Sequence, residues 1–225
     1  MKLSEAAVLI LAAGAGARFA TGGGVTLKLL ALLDGRPILA HVLDAAADFS
    51  PAATVVVLSD GLRADELEAG IEWRGERRVH NPHPERGLAG SVRIGLEALA
   101  DATDPSVRST LILLGDQPKV RTEVMRKLLD AAGSQPDRLF VVPRYGAGGG
   151  GNPLLIRREA WSLATELEGD RGFGPLLRAR PDMVRYVAVS GANPDIDTPA
   201  DLASLSRVRA PGRSDRRAGA GRCRP

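Results

Sequence analysis

Residues 7–19 read AVLILAAGAGARF: five apolar residues, a pair of alanines, two glycines two positions apart, and an arginine. A short apolar run halted by small residues predicts a buried strand that ends in a tight loop. The pattern recurs at TVVVL (54–58), RRVH (77–80), TLILL (110–114), LFVV (139–142), PLLI (153–156) and VRYVAV (184–189). Several of these runs are apolar on both faces, as strands of a parallel sheet covered on two sides must be.

Amphipathic stretches lie between them. PILAHVLDAAADF is predicted to start at Pro37 and GSVRIGLEALA at Gly90, and TEVMRKLLDAAG to run from a Thr122 N-cap to Gly133. REAWSLATEL and TPADLASL follow, the last with Thr198 as N-cap and Pro199 at the first helical position. This alternation predicts an α/β fold around a mostly parallel sheet, with right-handed crossovers and a site at the strand carboxyl ends. The Gly- and Pro-rich segment 144–175 breaks the rhythm and is expected to form an inserted lobe covering the sheet edge, within one domain spanning 1–206.

The chain has 225 residues, 44% hydrophobic and 25% charged, the make-up of a globular protein rather than a disordered or fibrous one. Its eight aromatic residues leave the core to aliphatic side chains. The net charge of +3 is unevenly spread: residues 207–225 hold seven Arg and one acid, Asp215. Subtracting that +6 leaves −3 for residues 1–206, so the folded body is slightly acidic. Residues 207–225 read as a disordered basic tail, and without a basic stripe in the body nucleic acid is not the expected partner. The one cysteine, Cys223, lies in the tail, which rules out an intrachain disulfide or cysteine zinc site and fits a cytoplasmic protein. No apolar run reaches the roughly 20 residues of a membrane span. Glu5, beside the first apolar run, argues against reading MKLSEAAVLILAAGAGA as a signal peptide.

Four stretches carry chemistry. In LAAGAGARF (11–19), a strand running into Gly14 and Gly16 leaves backbone N–H groups for a phosphate, and Arg18 adds a fixed positive charge, with Lys28 beyond a second glycine-rich stretch. A dinucleotide fingerprint fits poorly. The third glycine is missing, and Asp60 stands 46 residues beyond Gly14 where about 20 are expected. No G-K-[ST] follows, which excludes a Walker A loop. In LILLGDQP (111–118), Asp116 sits where an apolar strand ends, a place for an oxygen ligand to Mg²⁺ or for a simple turn. In NPDIDTPADL (193–202), Asp195 and Asp197 are two apart, so either could meet a metal held by Asp116 unless Asp197 and Thr198 only cap a helix. In NPHPERGLAGSVRIGL (81–96), the Gly87–Ser91 stretch presents N–H groups and a hydroxyl that could read a base edge or cap the helix. The three histidines are not spaced as a zinc set.

Together, LAAGAGAR, the Lys28-Leu29 pair, GDQP and DIDTPADL resemble the molybdenum cofactor nucleotidyltransferases, and GLAGSVRIGL is most similar to the segment found in the cytidylyltransferases among them. Gly151-Asn152-Pro153 and Gly169-Asp170-Arg171-Gly172 match two further family segments, so the resemblance runs from about residue 7 to 205. It implies a Rossmann-like three-layer nucleotidyltransferase fold, Mg²⁺ as cofactor, an NTP (CTP for this subgroup) and molybdenum cofactor as substrates, and a molybdoenzyme as recipient of the product.

Carried over residue by residue, the resemblance assigns Arg18, Lys28 and Asp116 to catalysis. Leu11, Ala12, Ala13, Gly14, Gly16, Arg18, Lys28, Gly87, Leu88, Gly90 and Ser91 would bind the nucleotide, Asn152 and Asp170 the acceptor, and Asp116, Asp195 and Asp197 the metal. Three departures stand out. Arg18 and Lys28 are ten apart, about twice the family spacing, with ATGGGVT holding the extra residues. Lys28 therefore either reaches the phosphates from a longer loop or leaves Arg18 to act alone. Ala89-Gly90-Ser91 replaces a serine run, and Lys119 follows GDQP where an apolar residue is usual. The alternatives are a guanylyl- or other nucleotidyltransferase with a different phosphorylated acceptor, an isoprenoid-type cytidylyltransferase, and a non-catalytic carrier that delivers the cofactor. The paired acids favour an enzyme, since carriage needs no metal.

Overall fold

A computed structural model describes residues 1–14, 16–24, 26–60, 62–147 and 150–207. The expected tail, but for Arg207, lies outside the described residues. In chain order the elements are β1 (Ala6–Ala12), α1 (Ala17–Thr21), β2 (Leu32–Leu33), β3 (Arg36–Pro37), α2 (Ile38–Phe49), β4 (Thr54–Ser59), α3 (Leu62–Gly70), β5 (Arg77–Asn81), α4 (Leu88–Ala102), β6 (Ser109–Leu114), α5 (Thr122–Ser134), β7 (Phe140–Tyr145), β8 (Leu154–Arg157), α6 (Gly174–Ala179), β9 (Val184–Val189) and α7 (Pro199–Arg207).

Seven strands form one sheet in the order β5-β4-β1-β6-β8-β7-β9, and β2 pairs with β3 in a separate ribbon. All neighbours in the large sheet are parallel except at β8, which runs antiparallel to both β6 and β7. The fold is thus the expected α/β, Rossmann-like one with a mostly parallel central sheet. The position of segment 144–175 is a correction: its strand β8 lies inside the sheet and does not cover an edge. A strand as apolar as LLIR, buried along its whole length, gains more between two neighbours than at a rim.

The three layers follow from β1. Every residue of that strand is buried, and its side chains alternate between two cores. Val8 and Ile10 join Ile38, Val42, Phe49, Met125 and Leu128 on the α2/α5 side. Leu9 and Leu11 join Val92, Leu96, Leu99, Trp161 and Phe173 on the α4 side. Helix α4 comes close to the sheet at Gly95, where a side-chain carbon would stand 2.3 Å from a Leu9 methyl. The buried Arg157 of β8 ties this scaffold to α5, donating to the carbonyls of Ala132, Gln135 (3.5 Å) and Arg138 (3.0 Å). A cation there complements the negative end of the helix.

Several predicted boundaries shift. Pro37 is the N-cap of α2 and not its first residue, since its ψ of 141° is extended. Arg121, not Thr122, precedes α5, and the Thr122 hydroxyl donates to the Ala45 carbonyl. Residues 158–166 form a 3₁₀ helix. Thr198 does cap α7: its hydroxyl accepts from the Asp201 N–H at 3.2 Å while the Asp201 carboxylate accepts from the Thr198 N–H at 2.8 Å. Among the described residues no helix is long and apolar enough to cross a membrane.

Candidate functional site

The segments that follow β1, β6 and β9 carry the charged residues predicted for catalysis and metal binding. Beyond β1, Gly16 takes a left-handed conformation (φ 61°) and caps α1, a short helix inside what the sequence suggested would be an open glycine loop. Arg18 projects from it, 78% exposed, with Nη1 2.7 Å from Asp197 Oδ2. Lys28 opens a 3₁₀ turn, and its Cβ packs over Gly16, where an added methyl would stand 3.2 Å away. Its side chain is only 11% exposed, and Nζ lies 2.6 Å from Asp116 Oδ2 and 3.6 Å from Asp197 Oδ1. The ten-residue spacing therefore still delivers Lys28 to the acids. A cavity of about 50 Å³ lies beside it, bordered by Ala12, Gly14, Gly16 and Ser59.

Backbone hydrogen bonds place the acids. The Gly115 N–H donates to Leu11 O (2.9 Å), which fixes the end of β6 beside β1. The Ile196 N–H donates to Asp116 O (3.0 Å), which lays the 193–197 segment along the same edge. Ile196 is fully buried, so the side chains on either side of it turn outward. Capping of α7 is left to Thr198 and Asp201, and the Asp197 carboxylate serves Arg18 and Lys28.

Asp195 behaves differently. Its Oδ1 accepts from Gln117 Nε2 at 2.6 Å. Removal from water on its packed side pushes its carboxyl above the usual range, reinforced by the Asp116 and Asp197 charges and opposed by the Gln117 hydrogen bond and Lys28. Among the described residues no three Asp, Glu, His or Cys side chains gather as a metal-holding group. Asp116 and Asp197 meet at Lys28, while Asp195 turns to Gln117.

A second hydrogen-bonded chain leads away from Gln117. Its Oε1 accepts from Asn193 Nδ2 at 2.9 Å, and the same Nδ2 donates to Asn152 O at 3.3 Å. The Tyr145 hydroxyl also donates to Asn152 O, at 3.0 Å. Burial pushes the Tyr145 phenol up to about 12, against the nearby Arg121 charge, so it stays a donor. Gln117 is 2% and Asn193 1% exposed. Both lie in motifs quoted above, but the pairing of two buried amides depends on tertiary contacts that no spacing reveals.

Asn152 borders a cleft of about 210 Å³ shared with Leu11, Leu88, Leu114, Arg171 and Phe173. The predicted base-facing segment lies partly here. Helix α4 begins at Leu88, two residues earlier than expected, with Gly87 (φ 91°) before it. Asp170, expected at the acceptor, instead accepts from the Leu88 N–H (3.2 Å), while Gly169 O accepts from the Ala89 N–H (3.0 Å). These contacts satisfy free donors of the first helical turn. Ser91 is buried, its hydroxyl accepting from Asn81 Nδ2 at 2.9 Å, so of this segment Leu88 is the residue that faces the cleft. Gly90 packs near the same Asn81 amide.

Comparison with known proteins agrees with this geometry. Residues 8–184 match the MobA-like NTP transferase domain. The chain is 31% identical over 189 residues to the bifunctional protein GlmU of Burkholderia mallei, covering 84% of this chain and 34% of that protein. It thus spans about a third of the length of this curated relative. The crystal structure of Rv0371c from Mycobacterium tuberculosis superposes with a TM-score of 0.76 at 28% identity, covering 92% of this chain and all of that one. A structure of Rv0371c in complex with manganese gives a TM-score of 0.72 at 25% identity over 90% of this chain and 98% of that one. With the family match running from β1 to the first residue of β9, the chain belongs to the MobA-like NTP transferase family.

Proposed function

We propose that the chain transfers a nucleoside monophosphate from an NTP to a phosphorylated acceptor with release of pyrophosphate, and that the pair is CTP and molybdenum cofactor. The observation that carries the transferase reading is the placement of Lys28 Nζ against Asp116 and Asp197, next to the Gly14–Gly16 loop. Cationic side chains, a glycine loop and two acids at one sheet edge suit transfer at a phosphate better than carriage of a cofactor.

An oxygen of the acceptor's terminal phosphate attacks the α-phosphorus in line, and the bond to the β-phosphate oxygen breaks as pyrophosphate leaves. No covalent bond to the protein is needed, so its contribution is positioning and charge neutralisation. The backbone of residues 12–14 and 16, with Arg18, would take the β- and γ-phosphate oxygens. Lys28, deeper and held more rigidly, would meet the charge that develops between the α-phosphate and the leaving group. Leu88 and Leu11 would flank the base, and Asn152 and Arg171 would meet the acceptor from the cleft.

The donor chemistry of the acids fits a divalent cation. Asp116 and Asp197 already share one positive group, and Mg²⁺ binds through one or two carboxylates together with phosphate oxygens. When bound, the ion would supply Lewis-acid polarisation of the phosphate oxygens. Arg18 and Lys28, now paired with these acids, would then be released toward the phosphates. The complex of Rv0371c with manganese supports a divalent ion in this family.

The CTP and molybdenum cofactor assignments rest on the resemblance of segments 87–96, 151–153 and 169–172. Pyrophosphate release, measured with each of the four NTPs with and without molybdenum cofactor, tests them. Release with CTP that depends on the acceptor is expected. Release with GTP alone would move the base assignment, and none with any NTP would overturn the transferase reading. Binding at 100 times Kd should raise stability by about 2.7 kcal/mol in a thermal-shift panel.

A further inference from the structure

We infer that Gln117 is a positioning residue that keeps Asp195 out of the cation site and ties it to the acceptor loop at Asn152. The inference rests on the proposed transferase reading and divides the three acids into two groups. Lys28 shows where positive charge is stabilised at this edge: on Asp116 and Asp197, at 2.6 and 3.6 Å, while Asp195 bonds instead to a neutral amide at 2.6 Å. The three carboxylates do not gather as one ligand set among the described residues.

The amide's orientation is set from behind. Asn193 Nδ2 donates to Gln117 Oε1 at 2.9 Å, so Gln117 must aim its own N–H groups at Asp195. At 2% exposure Gln117 has no water to turn toward. The same Asn193 nitrogen holds Asn152 O, whose second donor is the Tyr145 hydroxyl. The run Asp195–Gln117–Asn193–Asn152 is therefore continuous, each member fixing the next, and it ends at the cleft assigned to the acceptor. Groups that orient other groups in this way commonly act on rate and affinity without touching the reacting atoms.

Replacement of Asp195 separates the two roles, because asparagine keeps the oxygen that accepts from Gln117 and removes the charge. With the full chain, Mn²⁺ binding is followed by the electron paramagnetic resonance of free Mn²⁺. Asp116→Asn is expected to raise the Mn²⁺ Kd by about fiftyfold. Asp195→Asn should change it by less than about fivefold, the effect of a nearby charge that is not a ligand. In pyrophosphate release, Asp195→Leu and Gln117→Leu should each raise the KM for molybdenum cofactor by about tenfold and leave the KM for CTP unchanged, with Asp195→Asn restoring most of the loss.

An Mn²⁺ Kd in Asp195→Asn as weak as in Asp116→Asn would overturn the inference, as would equal rises in both KM values or an absence of Mn²⁺ binding by the unaltered chain. Should the unaltered chain bind Mn²⁺ and yet turn over no NTP, the transferase reading fails, and the Mn²⁺ comparison alone decides the placement of Asp195.

Discussion

Lys28 Nζ lies 2.6 Å from Asp116 Oδ2, and 88 residues of sequence separate the two. The approach is made by the 3₁₀ turn that begins at Lys28 and by the packing of its Cβ over Gly16, so the lysine stem is held along its length. Arg18 reaches Asp197, the second acid beside Lys28, from the outside, 78% exposed. One cation is embedded at this edge and the other is a surface group, and their substitutions should differ in kind.

Lys28→Ala should lower kcat by about a hundredfold, the scale for losing one preorganised donor, while weakening NTP binding much less. Arg18→Ala should mainly raise the KM for NTP, because an exposed ion pair contributes little to a rigid arrangement. Steady-state kinetics of the two variants side by side check this. Unchanged kcat and KM in Lys28→Ala would remove the lysine from the mechanism.

Gly87→Ala should destabilise the fold by about 2–3 kcal/mol, combining a left-handed φ of 91° with a steric clash. The new methyl would stand 2.6 Å from the Gly169 carbonyl carbon and 2.7 Å from Asp170 Oδ1, pushing apart the contacts that cap α4. Calorimetry should show a melting temperature lower by about 5–10 °C, and an unaltered one would mean that the 169–170 turn yields freely.

Arg157→Met should cost about 2–3 kcal/mol, because the carbonyls at the end of α5 lose a charged donor and stay buried. The loss should appear in the denaturation midpoint and leave both substrate KM values in place. A change in KM would show that β8 carries strain into the cleft.

Asp44 gives a pH-dependent term. Partial burial pushes its carboxyl up, but hydrogen bonds from Arg36 and Arg74 outweigh this and hold it below the usual carboxylate range. A depressed folded value means that the stabilisation is present above the unfolded value of 3.8 and is lost as pH falls through the folded one. The stability gap between the unaltered chain and Asp44→Asn should thus be open at about pH 6 and closed at about pH 2, and a gap that widened in acid would contradict the assignment.

Strands β1, β4, β6 and β8 were legible because each is an apolar run buried on both faces, whereas the edge strands β5 and β9 are partly exposed. All seven strands of the large sheet sit within a few residues of the predicted ranges. The antiparallel sense of β8 was not legible, since LLIR carries no mark of direction. Helix α3, LRADELEAG, is not legible because its sequence makes no clear apolar stripe, and α1 lies among alanines and glycines. At the site, Asp116 and Asp197 could be picked out because acids that directly follow strands or precede helices stand at predictable edges. The partners of Ser91, Asp170 and Asp195 could not, because Asn81, Leu88 and Gln117 meet them only after helices have packed. The reach of Lys28 depended on a short helix that composition alone does not announce.

The reversed strand β8 has a consequence for the integrity of the sheet. Among the described residues it is the strand that joins the β5-β4-β1-β6 group to the β7-β9 pair in the sheet, with four residues facing β6 and two facing β7. β7 precedes β8 in the chain and β9 follows it, so β7 reaches the β6 side of the sheet only through a strand that comes after it. β8 is thus the keystone of the sheet: four residues span the join between its two parts. Because that keystone starts immediately after Asn152-Pro153, the join that holds the sheet together also borders the cleft, through Asn152 and Leu154.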